Sequence, residues 1–265
     1  MDRTDCAYLI NSTPKYYYLV HFHCALIRRY APTLAWPIYI ATEVPSDTIL
    51  KRCVKEFGVK IIPLERKDRF FLESRLAASL LISEPYIFPI QEDFLLERKP
   101  DEEAIREALT LMTYDKTISS MRFMPCPGPL VEKVFQGWAS LKGSDYMFSF
   151  QATLWRREDY ILYLSALLDI PEDAYDSLCP PGLLEDKRKK WIQVDFNLAE
   201  NQVGQRKFME VLGDKQHLGW VRQGKQPNAV YISPWPYRPT AVEKGVLGQW
   251  AKDLAAREGY SLSST

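Results

Sequence analysis

The chain has 265 residues, a length typical of one domain with a C-terminal elaboration. Hydrophobic residues make up 46% of it, enough for a sizeable core, and 34 lysines and arginines balance 34 aspartates and glutamates. This balance gives no indication of a nucleic-acid partner. The five cysteines form no CxxC pair, so they indicate neither a zinc site nor a disulfide framework, and they suit a reducing compartment.

Nothing in the sequence indicates a membrane protein. Residues 1–5 lack the apolar core of a signal peptide, and no run approaches the roughly 20 apolar residues of a membrane helix. We therefore expect no transmembrane segment and a soluble, cytoplasmic protein.

The first third of the chain alternates short apolar runs with segments of helical periodicity. Apolar runs bounded by turn residues are typical of buried strands, and apolar residues at helical spacing are typical of helices that pack on a sheet. Pro14 suits the first position of a helix, Ser46 is a candidate helix cap and Gly58 a helix stop. The pattern predicts strands over 6–11, 36–41, 59–64 and from Pro85, and helices over 15–30, 46–57 and 70–83.

The remaining elements are more mixed. We predict helices over 100–112 and from about 155 to 169, and a segment over 194–212 that begins extended and becomes helical. The pattern predicts further strands over 117–124, 145–154 and 229–232, and a final helix over 241–257.

A repeated β-α order implies parallel strands joined by right-handed crossovers, and such a sheet binds ligands at the carboxyl ends of its strands. The fourth predicted strand ends there in two adjacent carboxylates, Glu92 and Asp93. A solvated turn is the alternative interpretation of this pair. No GxGxxG follows the first strand and no GxxxxGK[ST] occurs, which argues against a dinucleotide-binding Rossmann domain and a P-loop NTPase.

This order, ending in Gln91-Glu92-Asp93, resembles the nucleotide-binding half of the GT-A class of nucleotide-sugar glycosyltransferases. The stretch Phe148-Ser149-Phe150-Gln151-Ala152-Thr153-Leu154-Trp155-Arg156-Arg157 is similar to the acceptor-side strand of small glycosyltransferases of bacteria and of large DNA viruses. The resemblance covers most of residues 5–212. It implies an α/β fold, a GT-A-like single domain over 1–265, with a Rossmann-like, mostly parallel central sheet flanked by helices. Within it we expect a nucleotide-sugar-binding half (5–97), an acceptor-binding half (98–212) and a C-terminal extension (213–265).

The resemblance also implies a divalent cation, Mn2+ or Mg2+, because the acidic motif of GT-A enzymes, usually Asp-x-Asp, holds a metal that bridges the donor diphosphate. Asp93 is the predicted metal ligand, with Glu92 as a helper or ribose ligand. Gln91 stands where the class has its first Asp, so Asp93 could be the single ligand, or the enzyme could work without metal. Such a cation takes oxygen ligands and neutralises the leaving diphosphate.

Further donor contacts are expected at strand ends, where this class binds the base and ribose. They are Asn11, Ser12 and Thr13 after the first strand, Thr42 and Glu43 after the second, and Arg75 on the third helix. Helix capping is the alternative role of the first three, and an exposed helix position is the alternative for Arg75.

Inverting transfer needs a carboxylate that takes the proton of the acceptor hydroxyl. Glu200 is the preferred candidate, and Asp195, in an apolar run that would perturb its pKa, is the second. Gln151 and Trp155 are predicted to face the acceptor, with the Trp155 ring stacked on a sugar. A core position is the alternative for Trp155.

Two histidines and three basic residues form two further groups of interest. His21 and His23 look like a metal pair, but residues two apart diverge on a helix, so we predict structural roles for both. Arg222, Lys225 and Arg238 are a candidate lid over the diphosphate.

The sequence thus predicts an enzyme that moves a sugar from a nucleotide-diphosphate sugar to a glycan, a lipid-linked glycan or another hydroxyl acceptor. One alternative is a sugar nucleotidyltransferase, but this needs a glycine-rich first loop and Asn11-Ser12-Thr13-Pro14 has no glycine. The other is a non-catalytic nucleotide-binding α/β module, which Gln91 in the acidic motif would allow.

Overall fold

A computed structural model describes residues 5–65, 70–124, 133–135, 137–144, 147–170, 199–200, 202–220, 233–238, 240–243 and 245–262. The strands are β1 (Cys6–Asn11), β2 (Ile38–Thr42), β3 (Lys60–Pro63), β4 (Tyr86–Gln91), β5 (Ile118–Arg122), β6 (Lys133–Phe135), β7 (Trp138–Ser140), β8 (Thr153–Arg156), β9 (Gln216–Trp220), β10 (Val242–Glu243) and β11 (Val246–Leu247). The helices are α1 (Tyr17–Tyr30), α2 (Thr48–Phe57), α3 (Phe70–Leu81), α4 (Glu102–Tyr114), α5 (Arg157–Leu168), α6 (Gln202–Leu212) and α7 (Gln249–Arg257), and a 3-10 turn (Pro14–Tyr16) precedes α1. In the described part of the chain, no helix is long and apolar enough to cross a membrane.

Nine strands form one sheet in the order β3-β2-β1-β4-β8-β5-β9-β7-β6. The strands β1 to β4 pair in parallel, with the three helices α1, α2 and α3 between them in sequence. The prediction of four parallel strands with three intervening helices is confirmed. β8 is antiparallel to both β4 and β5, and β7 is antiparallel to both β9 and β6. Among the described strands of the sheet, β8 and β7 alone run against the others, so the sheet is mostly parallel.

Both faces of the sheet are buried, as expected for strands joined by helical crossovers. On β1, Cys6, Tyr8 and Ile10 enter one core, which also contains residues of α1, α4 and α7. The alternate residues Ala7 and Leu9 enter a second core with residues of α3, α5 and α6. This two-sided burial explains why β1 is a continuous apolar run.

The strand predicted over 145–154 is shorter and later than expected: β8 covers Thr153–Arg156 and α5 follows at once. The backbone N–H groups before it are satisfied by side chains instead of a neighbouring strand. Gln205 Oε1 accepts from Met147 N and Phe148 N, and Glu200 Oε1 accepts from Phe150 N. The alternating aromatic residues of this segment are therefore buried although they lie in a loop and not in a strand.

Several predicted boundaries need correction. Asp47, and not Ser46, caps α2, because its carboxylate accepts from Ile49 N at 2.7 Å. Gly58 ends that helix with a left-handed φ of 64°, as predicted. The final helix begins at Gln249, since a short hairpin of β10 and β11 occupies the preceding residues. The predicted strand over 229–232 and residues 194–198 lie outside the described residues.

The C-terminal extension packs into the first core. Pro236 O and Pro234 O accept from Glu97 N and Asp101 N, each at 2.9 Å. Trp235 and Tyr237 are fully buried among the core rings. The chain after β9 thereby returns to the segment that follows the acidic motif.

Candidate functional site

The candidate site lies at the carboxyl ends of β1 and β4. These strands are paired so that Asn11 is opposite Gln91, which brings the residues after both strands to one edge of the sheet. A cleft of about 220 Å³ opens here. It is lined by Tyr16, Gln91, Glu92, Asp93, Thr240 and Val242.

Glu92 is the more deeply buried carboxylate of the motif, with 8% of its surface exposed. Burial raises its pKa to about 8, and the negative charge of Asp93 adds to the rise, while Arg75 and the Ser12 hydroxyl oppose it. The backbone of Glu92 is held from α1, because His23 Nδ1–H donates to its carbonyl oxygen at 3.0 Å. His23 therefore has the structural role predicted for it.

Asp93 is half-buried and bonded to the C-terminal segment. Its Oδ2 accepts from the Thr240 hydroxyl at 2.6 Å. Burial raises the pKa of Asp93, and the Thr240 hydroxyl and the backbone N–H groups of Val242 and Ala241 oppose the rise. The acidic motif is therefore not a simple solvated turn.

Arg75 is buried, with 2% of its surface exposed, which corrects the alternative of an exposed helix position. Its guanidinium lies 4.6 Å from the Phe71 ring centroid and 5.0 Å from that of Phe150. Its positive charge lowers the pKa of both Glu92 and Glu200. Arg75 thus links the acidic motif electrostatically to the candidate base.

Glu200 lies beside the loop before β8. Its Oε1 accepts from the Ser149 hydroxyl at 3.0 Å and from Phe150 N at 2.8 Å. Burial raises its pKa, while these two bonds and the charges of Arg122 and Arg75 oppose the rise. The other candidate base, Asp195, lies outside the described residues.

Gln151 and Trp155, the predicted acceptor residues, differ in accessibility. Gln151 is half-buried, and its Oε1 accepts from the Tyr237 hydroxyl at 2.7 Å. Trp155 is 1% exposed and packs against Phe148 and Phe208 in the second core. Stacking of the Trp155 ring on a sugar is therefore corrected to a packing role, because its faces are covered by protein.

The remaining predicted donor residues surround the ends of β1 and β2. Ser12 and Thr42 are buried, Thr13 and Glu43 are half-buried, and the Thr42 hydroxyl bonds to that of Tyr17. Thr13 precedes the 3-10 turn without a side-chain capping bond. Both polar atoms of the Asn11 amide are buried, with no hydrogen-bond partner among the described residues. Their donor contacts stay predictions.

The lid expected from Arg238 does not fit its contacts. Arg238 Nε bonds to Glu97 Oε1 at 2.5 Å, and its guanidinium lies 5.1 Å from the Trp250 ring centroid. It anchors the C-terminal segment in this structure. Arg222 and Lys225 lie outside the described residues.

The acidic motif fits a hard divalent cation in its chemistry. Glu92 and Asp93 supply adjacent carboxylates whose mutual repulsion a cation would offset. The described residues contain no group of three or more His, Cys, Asp or Glu that could hold a metal. Mg2+ commonly takes one or two carboxylates and completes its shell with phosphate and water oxygens. The pair is therefore suited to a cation shared with a phosphate ligand.

Three residues near the site were missed at the sequence level. Arg122 ends β5 and is buried, so the rule that ligands bind at strand ends could have identified it. Thr240 and Tyr237 reach the site from the C-terminal segment. No local sequence pattern shows that this segment returns to the acidic motif.

A larger cavity of about 550 Å³ lies between α1, α2 and residues 259–262. Aromatic rings of Tyr17, Tyr18, Phe22 and Tyr260 form much of its lining. None of the predicted donor residues lines this cavity, so the candidate site stays at the carboxyl ends of β1 and β4.

No protein-family description matches the chain, and a comparison with curated proteins finds no relative. Among solved structures, a cytidylyltransferase from Leptospira borgpetersenii overlaps 98% of this chain and 89% of its own, at 12% identity and a TM-score of 0.47. S. aureus TarS in complex with UDP-GlcNAc overlaps 84% of this chain at 13% identity and a TM-score of 0.43. The glycosyltransferase GlyE of Streptococcus pneumoniae overlaps 85% at 10% identity and a TM-score of 0.41.

The chain spans 60% of the TarS chain and 56% of the GlyE chain. At these identities and TM-scores the similarities decide nothing about function. The class follows from the molecule itself: four parallel strands joined by helices, with an acidic motif at the edge where such sheets bind ligands, define an α/β protein with a Rossmann-like sheet.

Proposed function

We propose that this protein is a glycosyltransferase that moves a sugar from a nucleotide-diphosphate sugar to a hydroxyl acceptor. The observation that carries the proposal is a set of three desolvated carboxylates: Glu92 and Glu200, whose pKa values the buried Arg75 guanidinium lowers, and Asp93, adjacent to Glu92 in the acidic motif. Buried charges are costly and require compensation, so such a group at a strand edge is a strong candidate for a functional site.

On the donor side, Asp93 and Glu92 would hold Mn2+ or Mg2+ together with the diphosphate. When bound, the cation would supply charge neutralisation for the leaving group. The Asn11 amide, which has no hydrogen-bond partner in the described part of the chain, is suited to hydrogen bonds with a base or ribose, since it can both donate and accept. Arg75 would contribute positive charge beside the phosphates.

On the acceptor side, Glu200 would take the proton of the attacking hydroxyl. A base with a raised pKa holds a proton more strongly and is better matched to work near neutral pH. Arg75 and Arg122 limit the rise in its pKa, so that the carboxylate still ionises. Gln151, which is half-buried in the loop before β8, is the proposed acceptor contact.

The proposal is tested by the products formed from a panel of nucleotide sugars, with and without Mn2+, in the presence of simple glycans and lipid-linked glycans. A glycosyltransferase releases a nucleoside diphosphate and attaches the sugar to the acceptor. In a parallel incubation with nucleoside triphosphates and sugars or sugar phosphates, formation of a nucleotide sugar with release of pyrophosphate would instead identify a nucleotidyltransferase. Binding of nucleotides without turnover on any acceptor would favour the non-catalytic module.

A further inference from the structure

Thr240 holds an unusual position next to the acidic motif. It lines the cleft together with Asp93 and Val242, and its φ of 64° lies in the left-handed region. A β-branched residue is seldom found there, because its branched side chain crowds the backbone. Such backbone strain concentrates at functional sites, where the surrounding structure maintains it.

The hydroxyl of Thr240 bonds to Asp93 and not only to its own segment. Oγ1 lies 2.6 Å from Asp93 Oδ2 and 2.7 Å from the carbonyl oxygen of Val242. A hydroxyl carries one proton and can donate to only one of these acceptors at a time. Donation to the ionised carboxylate gives the stronger, charge-assisted bond.

Asp93 is also fixed at its backbone. Its carbonyl oxygen accepts from Ala241 N at 3.0 Å, so consecutive residues of one segment hold both the main chain and the side chain of Asp93. The segment is itself anchored, since Ala241 is fully buried and its carbonyl oxygen accepts from Gly248 N. The rotation of the Asp93 carboxylate is thereby restricted, with Oδ2 directed to Thr240.

We infer that Thr240 is a positioning residue that orients Asp93 Oδ1 toward the cation and diphosphate of the donor. The inference rests on the proposed function and extends it: the C-terminal extension completes the donor site. A glycine at this position would adopt the same backbone without strain but would supply no hydroxyl.

Three variants separate the hydroxyl from the backbone strain. Thr240→Val keeps the shape of the side chain and removes the hydroxyl, Thr240→Gly removes both hydroxyl and strain, and Thr240→Ser keeps the hydroxyl. Thr113→Val is the matched control, because the Thr113 hydroxyl donates to Leu109 O within α4. Each purified variant is titrated by calorimetry with UDP, GDP and CDP, with and without Mn2+, and its melting temperature is recorded.

Thr240→Val and Thr240→Gly should each weaken the Mn2+-dependent component of nucleotide binding by about tenfold, as expected for loss of a charge-assisted hydrogen bond. Thr240→Ser and Thr113→Val should bind nucleotides with the affinity of the wild type. Without Mn2+, Thr240→Gly should also match the wild type. The melting temperatures of the Thr240 variants should not correlate with their nucleotide affinities.

Three results would overturn the inference. If the wild type binds a nucleotide with Mn2+ and both hydroxyl-free variants bind equally well, Thr240 does not position Asp93, although the proposed function stands. If the Ser variant loses affinity as much as the Val variant, packing and not the hydroxyl is responsible. Absence of any nucleotide binding in the wild type would reject the proposed function together with this inference.

Discussion

At the residue scale, each of the three carboxylates is held by a different part of the chain. The backbone of Glu92 is fixed by His23 of α1, Asp93 by the C-terminal segment, and Glu200 by the loop before β8. Burial raises the pKa of all three. Their chemistry therefore depends on contacts between segments that are far apart in the sequence.

Glu200→Gln tests the proposed base. The amide keeps an oxygen that can accept from Ser149 and Phe150, so the loop and the melting temperature should be preserved. Turnover should fall by about 100- to 10,000-fold, the range expected for loss of proton transfer. Donor affinity measured by calorimetry should stay within about twofold, because the base meets the acceptor and not the nucleotide.

Asp195→Asn is the paired variant. If it abolishes turnover while Glu200→Gln remains active, the two roles are exchanged. If both remain active, NMR of the product will show whether the anomeric configuration is retained, in which case no such base is required.

The raised pKa of Glu200 predicts the acidic side of the pH profile. A base acts only when it is ionised, so kcat/KM should fall with decreasing pH at values above the usual glutamate range near 4.5. Glu200→Gln should lack this limb in its residual activity. An acidic limb of the same midpoint in the variant would assign the titration to another group.

At the element scale, the segment over 233–238 connects the two halves of the site. The Tyr237 hydroxyl accepts from Ala152 N at 3.0 Å and donates to Gln151 Oε1. Its ring packs on Phe94, just after the acidic motif. One buried side chain therefore joins the loop after the acidic motif to the loop before β8.

Tyr237→Phe should lower the free energy of unfolding by about 1–3 kcal/mol, because a buried backbone N–H loses its partner while the packing is kept. Urea denaturation measures this change, and the slope of the transition should not vary. Tyr114→Phe is the control: Tyr114 is 83% exposed, so its hydroxyl should contribute nothing measurable. Equal stability of both variants would contradict the importance of the Tyr237 bonds.

An element can be predicted from the sequence when the residues that determine it are neighbours in the chain. The strands β1 to β4 and their helices were predicted because apolar runs and helical periodicity are properties of neighbouring residues. The prediction over 145–154 is wrong because Gln205 and Glu200, 50 or more residues away along the chain, satisfy the backbone of that segment. The packing of Trp155 and the return of Thr240 to Asp93 likewise depend on tertiary contacts that no local pattern contains.

At the scale of the whole molecule, two buried neutral histidines make stability depend on pH. Burial lowers the pKa of His23 and of His217 to about 4. His217 Nε2–H donates to Leu212 O, and its Nδ1 accepts from the Ser120 hydroxyl, so the neutral ring is fully bonded. Protonation would remove the acceptor that Ser120 uses.

The sign of the effect follows from proton uptake. Between pH 6.5 and about 4 the unfolded histidine binds a proton that the folded one does not, so stability falls as the pH is lowered. Each histidine contributes at most about 1.4 kcal/mol per pH unit. The raised pKa of Glu92 acts in the opposite direction over pH 4.5 to 8, because there the folded state holds the extra proton.

Subtracting the curve of a variant from that of the wild type removes the contribution of Glu92. Between pH 6.5 and 4, the unfolding free energy of His217→Gln should therefore fall less steeply than that of the wild type, by the contribution of one histidine. Urea unfolding at several pH values provides the measurement. Parallel curves for the wild type and the variant would show that His217 titrates equally in both states.

We propose that the edge of the sheet formed by β1 and β4 binds a nucleotide-diphosphate sugar through the acidic motif. Calorimetric titration of wild type and Asp93→Asn with UDP-, GDP- and CDP-sugars, with and without Mn2+, tests it most directly. Asparagine keeps an oxygen that can accept from Thr240 and removes the charge, so folding should be retained. We predict that the wild type binds at least one donor, and that Asp93→Asn and the omission of Mn2+ each weaken this binding at least tenfold. Asp253→Asn, on the exposed face of α7, is the control and should not weaken it. Equal donor affinity in wild type and Asp93→Asn, or no donor binding by the wild type, would contradict the account.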